Sequence, residues 1–186
     1  MSAPPATRRF TVDEFHRMVA AGILGEDDRV ELLDGQIVEM TPIGPAHAGC
    51  VKRLNRALSR GLGDAVTLSV QDPVVLGDYA APQADIAVLR ARADGYGHRH
   101  PEPDDVLLLI EVADTSLERD RREKIPLYAR AGIVETWLVD LSGDGIDVYR
   151  EPSPEGYHDV RRVTRDGRLT AVLLPGFDLA AGEVLG

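Results

Sequence analysis

The sequence contains a single cysteine, Cys50, and only two lysines, Lys52 and Lys124, among its 186 residues. One cysteine excludes an internal disulfide framework and a zinc site made of several cysteines. No apolar run approaches the roughly 20 residues that a membrane-spanning helix needs, and residues 1–10 lack the apolar core of a signal peptide. We therefore expect a cytoplasmic protein without a membrane partner, in which residues 1–10 form a disordered lead.

An excess of positive charge is also absent, because 31 acidic and 21 basic residues give a formal net charge of −10. Such a chain as a whole repels a phosphate backbone, so binding to nucleic acid depends on how its basic side chains are distributed. The hydrophobic fraction of 44% and the length are ordinary for a soluble globular protein. We expect one domain over residues 11–186.

The first part of the chain is predicted to fold as helix, hairpin, helix. Thr11 and Glu14 have the spacing of a capping box at the start of the first helix. Asp34-Gly35 lies between two alternating apolar runs, which is typical of a two-residue hairpin turn. A second helix is predicted from Ala46 to the glycines at 61 and 63, because apolar residues recur there at helical spacing.

The rest of the chain is predicted to consist mainly of strands, with one further helix. That helix begins near Ser116, where Thr115 and Glu118 have the spacing of another capping box. Pro126 predicts either a kink or a restart in it. Residues 90–105 are polar and rich in glycine and proline, which indicates a long flexible loop. Strands are predicted at residues 66–70, 73–76, 86–89, 107–112, 136–140, 146–149, 157–163 and 169–173. This order predicts an α/β or α+β sheet with helices packed on it.

Two carboxylates are set in apolar segments that are predicted to be strands. Asp85 precedes the run Ile86–Leu89, and Glu111 lies near the end of the run Val106–Val112. A carboxylate inside a strand is costly unless a cation or hydrogen-bond donors compensate its charge. Carboxylates on adjacent rigid elements can hold Mg²⁺ together with water and phosphate oxygens, so the pair predicts metal-assisted hydrolysis. The alternative, in which Asp85 caps a strand and Glu111 pairs with an arginine, stays open at this point.

Other residues are candidates to complete such a site. Lys124 could orient an attacking water and stabilise charge on a phosphate, although an exposed salt bridge is an alternative role. Asp120 and Tyr128 recur with Lys124 at helical spacing and are candidate substrate contacts. Glu31 interrupts an apolar run and is a third candidate carboxylate. His47 lies at a helix start, where it could contact substrate or water.

A basic face on the second helix is a further candidate for substrate contact. Lys52, Arg56 and Arg60 recur every fourth residue and therefore line one face. The two interpretations are a solvated helix face and a stripe that contacts phosphates. Gln71, which follows a predicted strand, is another candidate substrate contact.

Four segments of the chain resemble the Uma-type restriction endonucleases of the PD-(D/E)XK nuclease superfamily. They are residues 30–38, 82–88, 109–112 and 124–140, and both their order and their spacing agree with the family. The resemblance extends from about Thr11 to Phe177. It implies a restriction-endonuclease-like mixed β-sheet flanked by helices, with an N-terminal helix and a β-hairpin.

The resemblance also implies a site and a cofactor. Asp85 becomes the motif aspartate, Glu111 becomes the acidic residue of (D/E)XK, and the carbonyl of Val112 joins them as a ligand of Mg²⁺, for which Mn²⁺ can substitute. The motif lysine would fall at Ala113, which cannot serve, and Lys124 on the following helix is expected to replace it. The position before Asp85 is alanine rather than the motif proline.

The expected function is that of a metal-dependent endonuclease that hydrolyses DNA phosphodiester bonds with a metal-activated water. Asp85, Glu111 and Lys124 are the expected catalytic residues, assisted by Glu31 and His47. Cleavage of both strands favours a homodimer. The alternative is a non-catalytic binding module that retains the nuclease fold, which the net charge of −10 and Ala113 favour.

Overall fold

The computed structural model describes residues 7–25 and 27–186, so residues 1–6 of the predicted lead lie outside the described part of the chain. The end of that lead contacts the hairpin. The Phe10 amide donates to the Gly35 carbonyl at 2.8 Å, and Arg9 Nε donates to the Asp34 carbonyl at 2.9 Å. The predicted disorder therefore does not include Arg9 and Phe10.

The described elements follow the predicted order, with an additional strand and helix over residues 174–185, and they confirm a mixed α/β fold with helices on both sides of a sheet. In chain order they are α1 (Val12–Ala20), β1 (Val30–Leu33), β2 (Gln36–Glu39), α2 (Pro45–Leu62), β3 (Val66–Val70), β4 (Ile86–Arg90), β5 (Val106–Ala113), α3 (Leu117–Arg119), a π-helical turn (Asp120–Lys124), α4 (Ile125–Arg130), β6 (Glu135–Asp140), β7 (Gly145–Ser153), β8 (Gly156–Thr164), β9 (Arg168–Ala171), β10 (Leu174–Ala180) and α5 (Ala181–Leu185). No helix in the described ranges is long and apolar enough to cross a membrane.

The central sheet has six strands in the order β3-β4-β5-β6-β7-β8. β5 and β6 run parallel, whereas the other neighbours are antiparallel. The hairpins β1–β2 and β9–β10 form separate two-stranded sheets. A parallel pair requires a crossover, and the segment from α3 to α4 provides it.

Apolar side chains cover both faces of the central strands. On one face, Leu54 and Leu58 of α2 pack in a cluster with Ile110 and Trp137. On the other face, Tyr128 of α4 packs in a cluster that includes side chains of β5 and β6. Every residue of β5 is buried, which explains why this strand is a nearly continuous apolar run interrupted by one carboxylate.

The π-helical turn resolves the conflict that Pro126 creates. A proline inside an α-helix removes one hydrogen bond and crowds the carbonyl four residues earlier. Here the chain passes from α3 through the π turn into α4, with Pro126 in the first turn of α4. The helical segment is therefore continuous, and Asp120, Lys124 and Tyr128 are all buried.

Two local predictions are wrong. Residues 73–76 do not form a strand, because only Pro73 makes a bridge, with Gln83, and a proline has no amide hydrogen to extend a ladder. The predicted capping box at Thr115 is also missing, since Ser116 is the N-cap and makes no side-chain cap bond. Instead, Ser116 Oγ donates to Asp120 Oδ2 at 2.6 Å.

Glu135, at the start of β6, is a fully buried carboxylate with several donors. Its Oε1 accepts hydrogen bonds from Trp137 Nε1 at 2.7 Å and Arg150 at 3.0 Å, and its Oε2 accepts one from the Val172 amide at 2.7 Å. These bonds connect β6, β7 and the β9–β10 turn. Glu135 is therefore structural, although the sequence pattern resembles that of the site carboxylates.

We expect Glu135→Ala to lower the free energy of unfolding by about 3–5 kcal/mol, because it leaves buried donors without an acceptor. Urea unfolding followed by Trp137 fluorescence measures the loss. Glu155→Ala, at an exposed position, should change stability by less than about 0.5 kcal/mol. Equal effects of the two substitutions would contradict the structural role of Glu135.

Candidate active site

An acidic pocket lies at the end of the central strands, where β4 begins and β5 ends. Ile86 is opposite Ile110 in the antiparallel register, so Asp85 and Glu111 occupy the next position on neighbouring strands. The pocket has a volume of about 190 Å³. Its titratable lining residues are Arg29, Glu31, His47, Asp85, Glu111, Asp114, Arg119, Asp120 and Lys124.

Asp85 is held by three donors from different parts of the chain. Its Oδ2 accepts a bond from the Val112 amide at 2.9 Å and contacts His47 Nε2 at 3.0 Å. Its Oδ1 accepts a bond from Gln71 Nε2 at 3.3 Å. Gln71 has a positive φ of 58° in the bend after β3. Asp85 therefore replaces the missing strand partner of Val112, and its carboxylate is fixed at the pocket.

His47 reaches the pocket from the first turn of α2. Gly44 is the N-cap and Pro45 opens the helix, a position that suits proline because its missing amide hydrogen is not needed there. The hydrogen bond to Asp85 raises the pKa of His47, and this effect outweighs partial burial. The second ring nitrogen, Nδ1, is buried and has no hydrogen-bond partner among the described residues.

Glu111 lines the pocket from near the end of β5. Its Oε1 accepts bonds from the Tyr128 hydroxyl and from Lys124 Nζ, the latter at 3.3 Å. Tyr128 is fully buried, so it orients Glu111 and does not reach the pocket. Tyr128, predicted as a substrate contact, is not among the pocket-lining residues, and its hydroxyl is used inside the protein.

Lys124 is buried between two carboxylates. Its Nζ lies 3.1 Å from Glu31 Oε2 and 3.3 Å from Glu111 Oε1, and it donates to the Gln83 carbonyl at 3.1 Å. Burial alone would lower the pKa of Lys124, but the charges of Glu111 and Glu31 outweigh burial and raise it. The lysine is therefore a cation whose three donors contact Glu31, Glu111 and the Gln83 carbonyl.

Glu31 is the link between the hairpin and the site. Its Oε1 accepts a bond from Arg119 at 3.3 Å, and its Oε2 accepts one from the Gln83 amide at 3.1 Å in addition to the Lys124 contact. Only 2% of its surface is exposed. Glu31 therefore positions Lys124 and the segment before Asp85.

Negative charge exceeds positive charge inside the site. Burial raises the pKa of Glu111 to about 8, and the nearby charges of Asp85 and Asp120 add to this effect against the opposing charge of Lys124. Burial also raises the pKa of Asp120. The carboxyl groups that line the pocket also outnumber its cationic groups, Arg29, Arg119 and Lys124, so the pocket suits a further cation.

The donor set fits a hard divalent cation. Glu111 Oε2 accepts no hydrogen bond within the described ranges, while Oε1 accepts both of the bonds described above. Those ranges contain no group of three or more His, Cys, Asp or Glu side chains arranged to hold a metal. Mg²⁺ does not need such a group, because one or two carboxylates hold it together with waters and phosphate oxygens.

Most of the predicted site residues come together in this pocket. Asp85, Glu111, Lys124, Glu31, His47, Gln71 and Asp120 all line it, as does Val112. Lys52, Arg56 and Arg60 do not line it, since they lie on the exposed face of α2. Ala113 is fully buried.

Sequence reasoning missed two arginines of the pocket, Arg29 and Arg119. Arg119 bridges Glu31, Glu123 and the Glu39 carbonyl. Arg119 belongs to the charged segment 119–124, which also contains Lys124. The sequence does not show which side chains of this helical segment face the pocket. Arg29 precedes β1 and carries no sequence signal of its own, because its place beside the pocket depends on where the hairpin packs.

The fold and the clustered carboxylates and lysine define a protein of the restriction-endonuclease-like class. A family model described as "Uma2: Putative restriction endonuclease" matches residues 12–182. The chain belongs to this Uma2 family, which confirms the resemblance described above.

A solved structure supports the fold assignment. The chain is similar to the crystal structure of a putative nuclease belonging to DUF820 from Anabaena variabilis, with a TM-score of 0.73 and 16% identity. The similarity covers 95% of this chain and 97% of that chain. At this identity the likeness shows the fold alone. None of the curated proteins matches the chain significantly.

We expect Asp85→Asn to lower the pKa of His47, because a neutral amide cannot stabilise the imidazolium as a carboxylate does. The raised pKa of His47 gives stability that is present below its unfolded value of about 6.5 and is lost as pH rises through the folded value. NMR titration of the imidazole, assigned with His47→Gln, measures the midpoint. An unchanged midpoint in Asp85→Asn would mean that the Asp85 contact does not control this ring.

Proposed function

We propose that the protein is a metal-dependent endonuclease that hydrolyses DNA phosphodiester bonds. One observation carries this proposal. Lys124 contacts Glu111 on β5, and Asp85 lies beside Glu111 at the start of the neighbouring strand β4. Membership of the Uma2 family and the nuclease-like fold support a nucleic-acid substrate. Two copies of the site would cleave the two strands of a duplex, so we also propose a homodimer.

The protein's own residues divide the work of such a reaction. Asp85 and Glu111, with the carbonyl of Val112, would hold Mg²⁺, for which Mn²⁺ can substitute. When bound, the cation supplies positive charge to phosphate oxygens and lowers the pKa of water. The ammonium group of Lys124 orients the attacking water and stabilises the charge that develops on the phosphate during in-line attack.

The remaining residues hold these groups in place. Tyr128 fixes one oxygen of Glu111, and Glu31 fixes Lys124. His47 fixes Asp85 through one ring nitrogen, and its other nitrogen has no partner within the described residues. Gln71 and Asp120 line the pocket where substrate would lie.

The second candidate function is a non-catalytic binding module with the same fold. Ala113 favours it, because this position would carry the lysine of the superfamily motif. Lys124 replaces the missing lysine only if its ammonium group acts on the substrate. A cleavage assay therefore separates the two candidates.

We expect purified protein to cleave supercoiled plasmid DNA with Mg²⁺ or Mn²⁺ and to lose this activity in EDTA. Asp85→Asn and Glu111→Gln should each reduce the rate by at least about 10²-fold, and Lys124→Met by about 10²–10³-fold, since each removes charge stabilisation at the reacting phosphate. Gel quantification of nicked and linear product measures the rates, and circular dichroism confirms folding.

The matched controls are exposed charged residues that do not line the pocket. Arg122→Met changes an exposed cation in the π turn, with 79% of its side chain exposed, and Asp104→Asn changes an exposed carboxylate. Both should retain the parent rate. Absence of any metal-dependent cleavage, or cleavage that survives Asp85→Asn, would favour the binding module.

We expect the affinity for Mn²⁺ to rise about tenfold per pH unit up to about pH 8 and then to level off. The reason is that burial raises the pKa of Glu111 to about 8, so below that pH a proton must leave before the carboxylate can bind a cation. Isothermal titration calorimetry between pH 6 and 9 measures this dependence. Glu111→Gln should flatten it, whereas a parent affinity that does not vary with pH would mean that Glu111 carries no proton in this range.

A further inference from the structure

A row of cationic side chains runs along the outer face of α2. Lys52, Arg56 and Arg60 are exposed, whereas Leu54 and Leu58 on the opposite face are buried in the core. Residues four apart on a helix rise by about 6 Å. This rise is similar to the separation of adjacent phosphates along one nucleic-acid strand.

Within the described residues, the side chains of the row take part in no salt bridge. Lys52, Arg56 and Arg60 form no ion pair with any residue in the ranges 7–25 and 27–186. Elsewhere on the surface, arginines are paired with aspartates, namely Arg92, Arg99, Arg161, Arg165 and Arg168. In a chain with a net charge of −10, this helix face is therefore a local concentration of positive charge.

The direction of α2 connects the row to the pocket. His47 lies in the first turn of the helix, against Asp85 at 3.0 Å, and Lys52 follows five residues later. With a rise of about 1.5 Å per residue, the row begins roughly 8 Å from His47 along the helix axis and ends roughly 20 Å from it. Five residues also turn the helix by about 140°, so the row lies on the side of α2 away from His47. A strand that follows the row therefore passes around the N-terminal turn of α2 to reach the pocket.

The far end of the row opens into a surface groove of about 460 Å³. Arg56 and Arg60 line it together with Phe177, and Gly61 permits the close packing there, since a Cβ at Gly61 would lie 2.8 Å from Phe177. Asp178 and Glu183 also line this groove. Asp178 is paired with Arg168, so Glu183 is the carboxylate that opposes an anionic ligand there.

From this arrangement we propose that Lys52, Arg56 and Arg60 bind consecutive phosphates of the DNA strand whose scissile bond lies in the acidic pocket. This inference rests on the proposed function for the identity of the ligand. It adds the path of the strand, which leaves the pocket along α2. The acidic pocket and the cationic row then act on different phosphates of one strand.

The test compares two triple variants with the same net charge. Lys52→Gln/Arg56→Gln/Arg60→Gln removes the row, and Arg92→Gln/Arg161→Gln/Arg168→Gln removes three arginines that are paired with aspartates. Fluorescence anisotropy with a labelled 20-mer is measured without divalent cations over a range of salt concentrations. Duplex and single-stranded 20-mers are used in separate arms.

Loss of the row should reduce the slope of log K against log salt by about 2.7 for a duplex or about 2.1 for a single strand, because each phosphate contact contributes about 0.9 or 0.7. The corresponding loss of affinity at 0.1 M salt is on the order of 10²-fold. The control triple should change the slope by less than one contact. Glu183→Gln should strengthen binding.

Three results would overturn the inference: no measurable binding by the parent, an unchanged slope in the row variant, or equal losses in both triples. The last result would show that net charge alone governs binding. The outcome is separable from the proposed function, since binding is measured without cleavage. A row-dependent slope without metal-dependent cleavage would support the strand path and reject the nuclease, whereas cleavage with an unchanged slope would do the reverse.

Discussion

The buried ammonium group of Lys124 is the interaction on which the site depends. Two carboxylates, Glu31 and Glu111, are almost completely removed from water at the end of the sheet, and uncompensated burial of such charges is strongly destabilising. Lys124 lies between them and also binds the Gln83 carbonyl. The hairpin, strand β5 and the segment before Asp85 therefore meet at one cation.

A π-helical turn in the backbone positions this cation. The π turn carries Asp120 and Lys124 into the interior and lets the chain continue into α4 despite Pro126. Such turns are frequent at functional sites. In the superfamily pattern the lysine comes from the same strand as the acidic residue, but Ala113 is buried in the apolar cluster under α4. A lysine from the crossover helix reaches the carboxylate from the face on which that helix packs.

The compensation provided by Lys124 is incomplete, and this shapes the chemistry that the pocket can perform. Burial, with Asp85 and Asp120 nearby, raises the pKa of Glu111 despite the opposing charge of Lys124. The cationic row on α2 lies outside this pocket. A protein of strongly negative net charge thus separates an acidic pocket from a basic surface, and α2 joins them because His47 and the row belong to one helix.

The sequence by itself determined the class of fold, the order of the elements and the carboxylate pair, because these follow from local patterns. Apolar runs predict buried strands, Asp34-Gly35 predicts the hairpin turn, and a carboxylate within an apolar run indicates a compensated charge.

The tertiary structure decided how each charge is compensated. Arg119 binds Glu31 across 88 residues of sequence, and no local pattern encodes such a distance. For the same reason the sequence did not reveal the contact of His47 with Asp85 or the inward position of Tyr128. Both depend on how helices pack against the sheet. The same reason applies to Glu135, whose strand-borne carboxylate looks like those of Asp85 and Glu111 in sequence. Only the donors that the fold brings to each carboxylate distinguish a structural group from one that faces a pocket.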